Sequence, residues 1–390
     1  MDFTFSEEQE AALLAADGVF AGLVTPDRVR EVEAGDDRVD HQLWAALAKA
    51  DLLGLAIPTA DGGGGYGLVE LALILEAQGR SVAPVPLWAT LVLGCLPIAE
   101  FGSDQLRAAV LPEVEDGDLM LSAALSEVAA GLATGGAGDP SVRAEFAGSP
   151  TSGVHLSGTA LAVPFAHVAD RVLIPALTPD GGVVVASVDP NTEKVRVERA
   201  ITTNREIHPH LHLDNVFVPR EDLLAGGDPS RGREVLGWML NRAWTGLCAL
   251  QVGVAEAAVA QAAAYLNVRE QFGRPLSTFQ GTMLKAADAA IDTESMRVTL
   301  WQAAWRLDNG LDADRAVGVA VWFAKDAGQR VVHATQHLHG GMGADIDYPI
   351  HRYFLWGKQI ELLLGGPSAQ LARLGRQVVA DLRAGEALTA

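Results

Sequence analysis

The sequence predicts an α+β chain in three parts. A helical domain covers 1–118, a central antiparallel β-barrel or sandwich covers 119–226, and a four-helix-bundle-like domain covers 227–390. Three observations carry this reading. Apolar residues recur at helical spacing through the first part. From about residue 119 the chain breaks into short Val- and Leu-rich runs separated by Gly, Pro, Asp and Asn, the pattern of strands and turns. From about residue 227 the helical period returns and holds to the end.

Taken in order, Ser6 and Gln9 have the spacing of a capping box and open the run "EEQEAALLAADGVFAGL". "HQLWAALAKADLLGLAIP" and "GLVELALILEAQGR" repeat the amphipathic pattern. Between them, "TADGGGGYG" has the glycines of a phosphate cradle, but no Gly-Lys-Ser/Thr follows, so a flexible connection is expected. "GVHLSGTALAV", "RVLIPAL", "GGVVVASVD", "KVRVERA" and "LHLDNVFVP" read as strands. His208, His210 and His212 fall on one face by the period of two, without a third-ligand motif to make them a metal site. In the last part Leu284, Ala287, Ile291, Val298, Trp301 and Trp305 follow a 3–4 spacing that predicts a bundle seam, with Glu294 at its edge. "DADRAVGVAVWFAKDAGQRVVHATQHLHGG" predicts a long helix ending at Gly340 and Gly341. His333 and His337 stand one turn apart on it, lacking the Glu of a zinc-protease helix.

Composition narrows the function classes. The 390 residues are 49% apolar and 20% charged, a globular balance. Lys and Arg number 29 against 49 Asp and Glu, a net charge of −20 that repels nucleic acid and anionic membrane surfaces. Cys95 and Cys248 are too few for a disulfide framework or a thiolate metal cluster. The acidic start "MDFTFSEEQE" lacks the marks of a signal peptide, and no uninterrupted apolar segment reaches the roughly 20 residues of a bilayer span. A soluble cytoplasmic protein is expected. No strand–GxGxxG–helix unit supports a nicotinamide domain.

"YLNVREQFGRPLSTFQ" (265–280) and "QHLHGGMGADIDYPIHRY" (336–353), within this helix–strand–helix order, resemble the acyl-CoA dehydrogenase family of flavoproteins. "GLAIPTADGGGGYG" resembles the family's N-terminal glycine stretch and "DNVFVPREDLL" its exit from the β domain, so the resemblance spans nearly the whole chain. It implies FAD and the α,β-desaturation of an acyl-CoA thioester: a carboxylate removes the α proton while the β hydride goes to the flavin. An electron-transfer flavoprotein or similar acceptor would take the electrons. Carried over, Arg269, Gln271, Phe272, Gln336, Gly340 and Gly341 would hold the ADP half of an FAD belonging mostly to a neighbouring subunit. The residue types suit that role: a rigid donor fork, an apolar ring and close backbone approach.

The sequence departs from the family pattern where a chain would do its own chemistry. "IELLLGGPSAQ" (360–370) reads as a helix stop. Counting from Gly340 and Gly341, the usual catalytic Glu falls on Leu364 or, with one gap, on Gly365. The alternative site on an earlier helix falls on Ala243, with Trp244 where an Arg usually follows. No catalytic residue is therefore assigned. In "LSEVAAG" (125–131), Glu127 is kept but Val128 replaces a Pro, and Ala162 and Pro164 stand for a flavin-contacting Trp and Thr. Losses on the chain's own side, beside retained motifs for a neighbour's FAD, resemble the non-catalytic subunit of heteromeric α2β2 acyl-CoA dehydrogenases of bacterial steroid side-chain degradation. That implies a catalytic partner subunit. The alternatives are a self-sufficient homotetramer using another base such as Glu361, or a flavin-free scaffold.

Overall fold

The computed structural model describes residues 4–148 and 152–385. Helix α1 (Glu7–Leu23) starts on Ser6, whose hydroxyl accepts from the Gln9 amide while the Gln9 side chain accepts from Ser6 N–H. Helices α2 (Pro26–Ala34), α3 (His41–Lys49) and α4 (Leu68–Ser81) follow; Thr25 and Asp40 cap the first two. A wide π-helical stretch, Trp88–Cys95, runs into α5 (Leu96–Phe101), and α6 (Asp104–Glu115) is capped by Ser103. The glycine loop between α3 and α4 is a packed turn, not the flexible connection expected. The N–H groups of Gly63, Gly64 and Gly65 donate to the carbonyls of Pro58, Gly54 and Ile57, and a Cβ on Gly63 would lie 2.4 Å from that of Ile57.

The central sheet contains β1 (Leu121–Ala123), then, beyond helix α7 (Ser126–Ala133), β2 (Arg143–Phe146), β3 (Gly153–Ala160), β4 (Arg171–Leu177), β5 (Val183–Val188), β6 (Val195–Glu198) and β7 (His210–Pro219). Its order is β1-β4-β2-β3-β7-β6, with β5 on β4. The sheet is mixed, where a wholly antiparallel one was expected: β1 and β2 run parallel to β4. The long excursion between β1 and β4 allows this, since a parallel pair needs a crossover of a dozen or more residues. Strand β5 is buried on both faces, and the period of two divides it. Val183 and Val185 join the helical core; Val184, Ala186 and Val188 join the sheet's own.

Helix α8 (Gly232–Val268) leads through the two-residue strands β8 (Glu270–Gln271) and β9 (Arg274–Pro275) into α9 (Gln280–Asp308), α10 (Asp314–Leu338), α11 (Ile350–Leu362) and α12 (Pro367–Ala384). Both helical parts share one apolar core. Helices α4 and α8 cross so tightly that a Cβ on Gly253 would lie 2.0 Å from the Glu76 carbonyl oxygen. Helix α8 is long and apolar enough to cross a bilayer, yet 61% of its most apolar window is buried inside the protein. The seam expected on α9 is only partly inward. Leu284, Ile291 and Val298 are more than half exposed, whereas Ala289, Thr293, Met296, Leu300, Ala303 and Ala304, with Trp301, face the core. Ala289, Thr293, Ala303 and Ala304 let α9 approach its neighbours closely, while Met296, Leu300 and Trp301 fill the core between them.

Candidate cofactor site

The two motifs meet at one end of the C-terminal bundle. Tyr265, in the last turn of α8, stacks on His339 at 4.7 Å between ring centroids, and Tyr348 packs on both. His339 Nδ1–H donates to the Thr335 carbonyl at 2.8 Å, and burial lowers its pKa, favouring the neutral ring. Beneath them Ala262, Leu266 and Leu338 form a small apolar cluster with Leu276 and Ala286. Arg269 caps α8 with its side chain exposed. The β8–β9 turn places Phe272 and Gly273 at positive φ, 55° and 78°, as a tight two-residue hairpin requires. Phe272 is thereby presented at 92% exposure, flanked edge-on by Phe279, over which Arg274 lies at 4.1 Å. Gln271 is exposed, and its side-chain amide donates to the adjacent Glu270 carbonyl. Gly340 has φ 60°, and open space surrounds both it and Gly341.

Gln336 is turned inward: its amide donates to the Gly343 carbonyl at 2.8 Å. The outward-facing neighbour is His337, whose Nδ1 accepts from Lys285 Nζ at 3.0 Å. These two border a groove of about 810 Å³ between α9 and α10, lined also by Asp288, Asp292, Arg330 and His333. That volume is within the range of ligand pockets. Sequence reasoning singles out neither Tyr265 nor Lys285. Their only local signal is position, four residues before Arg269 and one turn into the following helix. His333 lies edge-on to Phe354, and no metal-capable cluster of three occurs among the described residues.

The helix stop lies elsewhere, where α8, α10, α11 and α12 meet. Leu364 is buried with φ 55°, and Gly365 follows at φ 95°. Lys325 Nζ donates to the carbonyls of Ile360, Glu361 and Leu363 at 2.8, 3.2 and 2.6 Å. This buried ammonium thus satisfies the carbonyls that a helix C-terminus leaves open. Burial pushes the Lys325 pKa down to about 7. The Leu364 carbonyl accepts from Trp244 Nε1 at 3.1 Å and from Gln370 Nε2 at 2.8 Å. The positions marked in the sequence on two separate helices therefore touch. Glu361 pairs with Lys358 and does not line the cleft between the three parts of the chain.

That cleft, lined by Gln78, Trp88, Phe165, His208, Trp356 and Leu363 among others, keeps about 30 Å³, room for a water or two. The "LSEVAAG" stretch leads into helix α7, whose last carbonyls, Leu132 and Ala133, accept from Arg376 of α12. Ser141 Oγ–H donates to Glu127 at 2.7 Å. In the 160–166 segment Ala162 N–H donates to His210 Nδ1 and Phe165 N–H to the Ile207 carbonyl, while Pro164 has no N–H to offer. His212 engages Thr159 and Glu198, and buried His208 donates to Glu206.

The geometry thus has an open, ligand-sized groove beside the motifs and a closed cleft behind the stop. Residues 6–118 match the family model of the acyl-CoA dehydrogenase N-terminal domain, and residues 230–379 that of the C-terminal domain. Acyl-CoA dehydrogenase FadE27 of Mycobacterium tuberculosis is 36% identical over 97% of this chain and 99% of its own length. A solved variant of the Tcur3481-Tcur3483 steroid ACAD superposes with a TM-score of 0.88 at 44% identity, covering 97% of this chain and 99% of that one. The ChsE4-ChsE5 complex from Mycobacterium tuberculosis gives 0.88 at 36% identity with the same coverage. The chain belongs to the acyl-CoA dehydrogenase family, FAD-dependent oxidoreductases acting on CH–CH bonds.

Proposed function

We propose that this chain is the non-catalytic subunit of a heteromeric acyl-CoA dehydrogenase, completing the FAD site of a catalytic family member. The observation that carries the reading is the closed interdomain cleft. About 30 Å³ cannot hold an isoalloxazine, and the expected base positions are Leu364, a glycine, and an alanine beside the Trp244 indole. On the other side, exposed Arg269 and Phe272 and the open backbone at Gly340 and Gly341 suit the ADP half of a neighbour's FAD. Lys285 adds positive charge at the rim of the groove. Gln336 would act through the Gly343 carbonyl, holding the glycine turn in place.

Bound FAD supplies the hydride acceptor. This chain's residues position its phosphates and shield them from water, while the partner supplies the base and the isoalloxazine cradle. A general base contributes about 10²–10⁴ in rate, so the lone chain turns over poorly even with flavin added. The substrate class is the CoA thioester of a steroid's side chain, supported by the name of the 44%-identical steroid ACAD structure. Reoxidation falls to an electron-transfer flavoprotein or similar acceptor, and the setting is cytoplasmic.

The test is co-expression with a catalytic family member, followed by native mass and the FAD-to-chain ratio. The expected result is a heterotetramer carrying one FAD per pair of unlike chains, with little flavin on the lone chain. A lone homotetramer with one FAD per chain overturns the proposal. A flavin-free complex favours a scaffold.

A further inference from the structure

The β6–β7 connection (199–209) crosses to the loop between α2 and α3 and meets it arginine to arginine. Arg38 Nη1 donates to the Arg205 carbonyl at 2.8 Å. Both residues have left-handed backbones, φ 58° and 71°, a conformation that non-glycine residues seldom adopt and that gathers at ligand clamps. Arg205 Nη1 lies 3.5 Å from Glu33, but Glu33 is already held by buried Arg352 through two contacts of 3.1 Å. Arg38 Nε is buried without a partner, as is Arg352 Nη1. Arg199, exposed on the same connection, adds a third guanidinium. Burial, then Arg199, then Arg205 lower the Arg38 pKa, with Glu33 the acid that offsets them. Asp37, Asp40 and Glu206 of the same loops are engaged by His41, Arg28 and His208, and Asp36 is exposed. Among the described residues Arg38 and Arg199 thus make no ion pair, and Arg205 has only the Glu33 it shares with Arg352.

We propose that Arg38, Arg199 and Arg205 form an anion site for a phosphate-bearing small molecule, a diphosphate or a phosphate monoester held between the two loops. Guanidinium forks match phosphate oxygens, and a phosphate offers enough oxygens for three forks where a carboxylate offers two. The site borders the interdomain cleft, because Asn204, Glu206 and His208 of the same connection line it. It does not depend on the subunit role proposed above.

Calorimetric titration of the full chain with inorganic pyrophosphate at fixed ionic strength tests this. Saturable binding near or below about 1 mM is expected, weakening about tenfold in Arg199→Gln as one charge-assisted hydrogen bond is lost. Arg199 makes no ion pair among the described residues, so this variant is expected to keep the wild-type melting temperature; Arg38→Gln provides the second reading. A parallel titration with coenzyme A identifies the source. Tighter binding than pyrophosphate, equally sensitive to Arg199→Gln, points to that cofactor's phosphates, and equal binding points to free phosphates. No saturation by either compound, or saturation unchanged in both variants, overturns the proposal.

Discussion

Lys325 has the most demanding environment of any single residue here. It is 1% exposed, and its three donors meet three carbonyls at the end of α11. Its folded pKa of about 7 lies below the ordinary lysine value of 10.5. Between these values the unfolded chain binds more protons than the folded one, so this group makes stability rise with pH across that window and leaves it flat below. Cys248, pushed up from 9.0 to about 12 by burial, keeps its proton longer in the folded chain and opposes this slope above about pH 9, so the rise belongs to the window from about 7 to 9; Glu361 is paired with Lys358. Lys325→Met is expected to lower stability by about 2–4 kcal/mol near neutral pH, because carbonyls lose their donors. It should also abolish that part of the slope, as read from urea midpoints at pH 6.5 to 9.5. Nothing in "VWFAKDAGQ" announces this role, since a lysine at that spacing reads as a solvent-facing residue.

At the scale of elements, the β8–β9 hairpin is shaped for presentation and contributes little to the core. Phe272 is 92% exposed, so Phe272→Ala should leave the chain's melting temperature nearly unchanged. If the ring faces a partner's cofactor, the same change should lower FAD retention of the complex about tenfold, measured as flavin absorbance per chain after dialysis. The capping box of α1, the strands over 153–219 and the long helix ending before Gly340 were legible because caps, period and turn residues are local signals. Helix α7 and the parallel placement of β1 were not. The family-like "LSEVAAG" stretch lies in eight helical residues docked on α12, and strand direction depends on partners about fifty residues away. The apolar stripe of α9 was legible as a helix but not as a surface, because which face packs is set by the neighbouring helices and not by the stripe itself.

Across the whole molecule, one buried cluster ties the three parts together. Glu33 of α2 accepts from Arg352 of α11, and Arg205 of the sheet's long connection stands beside it. Glu33→Gln leaves Arg352 buried without a full counter-charge and is expected to cost about 3–5 kcal/mol in denaturant unfolding. A loss below about 1 kcal/mol would mean that the pair does not bind the parts together. By itself the sequence determined the order of helical, β and helical parts, the acidic surface and the family likeness of its two motifs. These depend on periodicity, composition and short residue strings that no folding is needed to read. Only the tertiary structure decided that Leu364 and Trp244 touch, that a buried lysine closes the helix stop, and that the open groove lies at the motif face while the interdomain cleft is closed. Those facts depend on side chains about a hundred residues apart meeting in a dry interior, where each donor must find an acceptor.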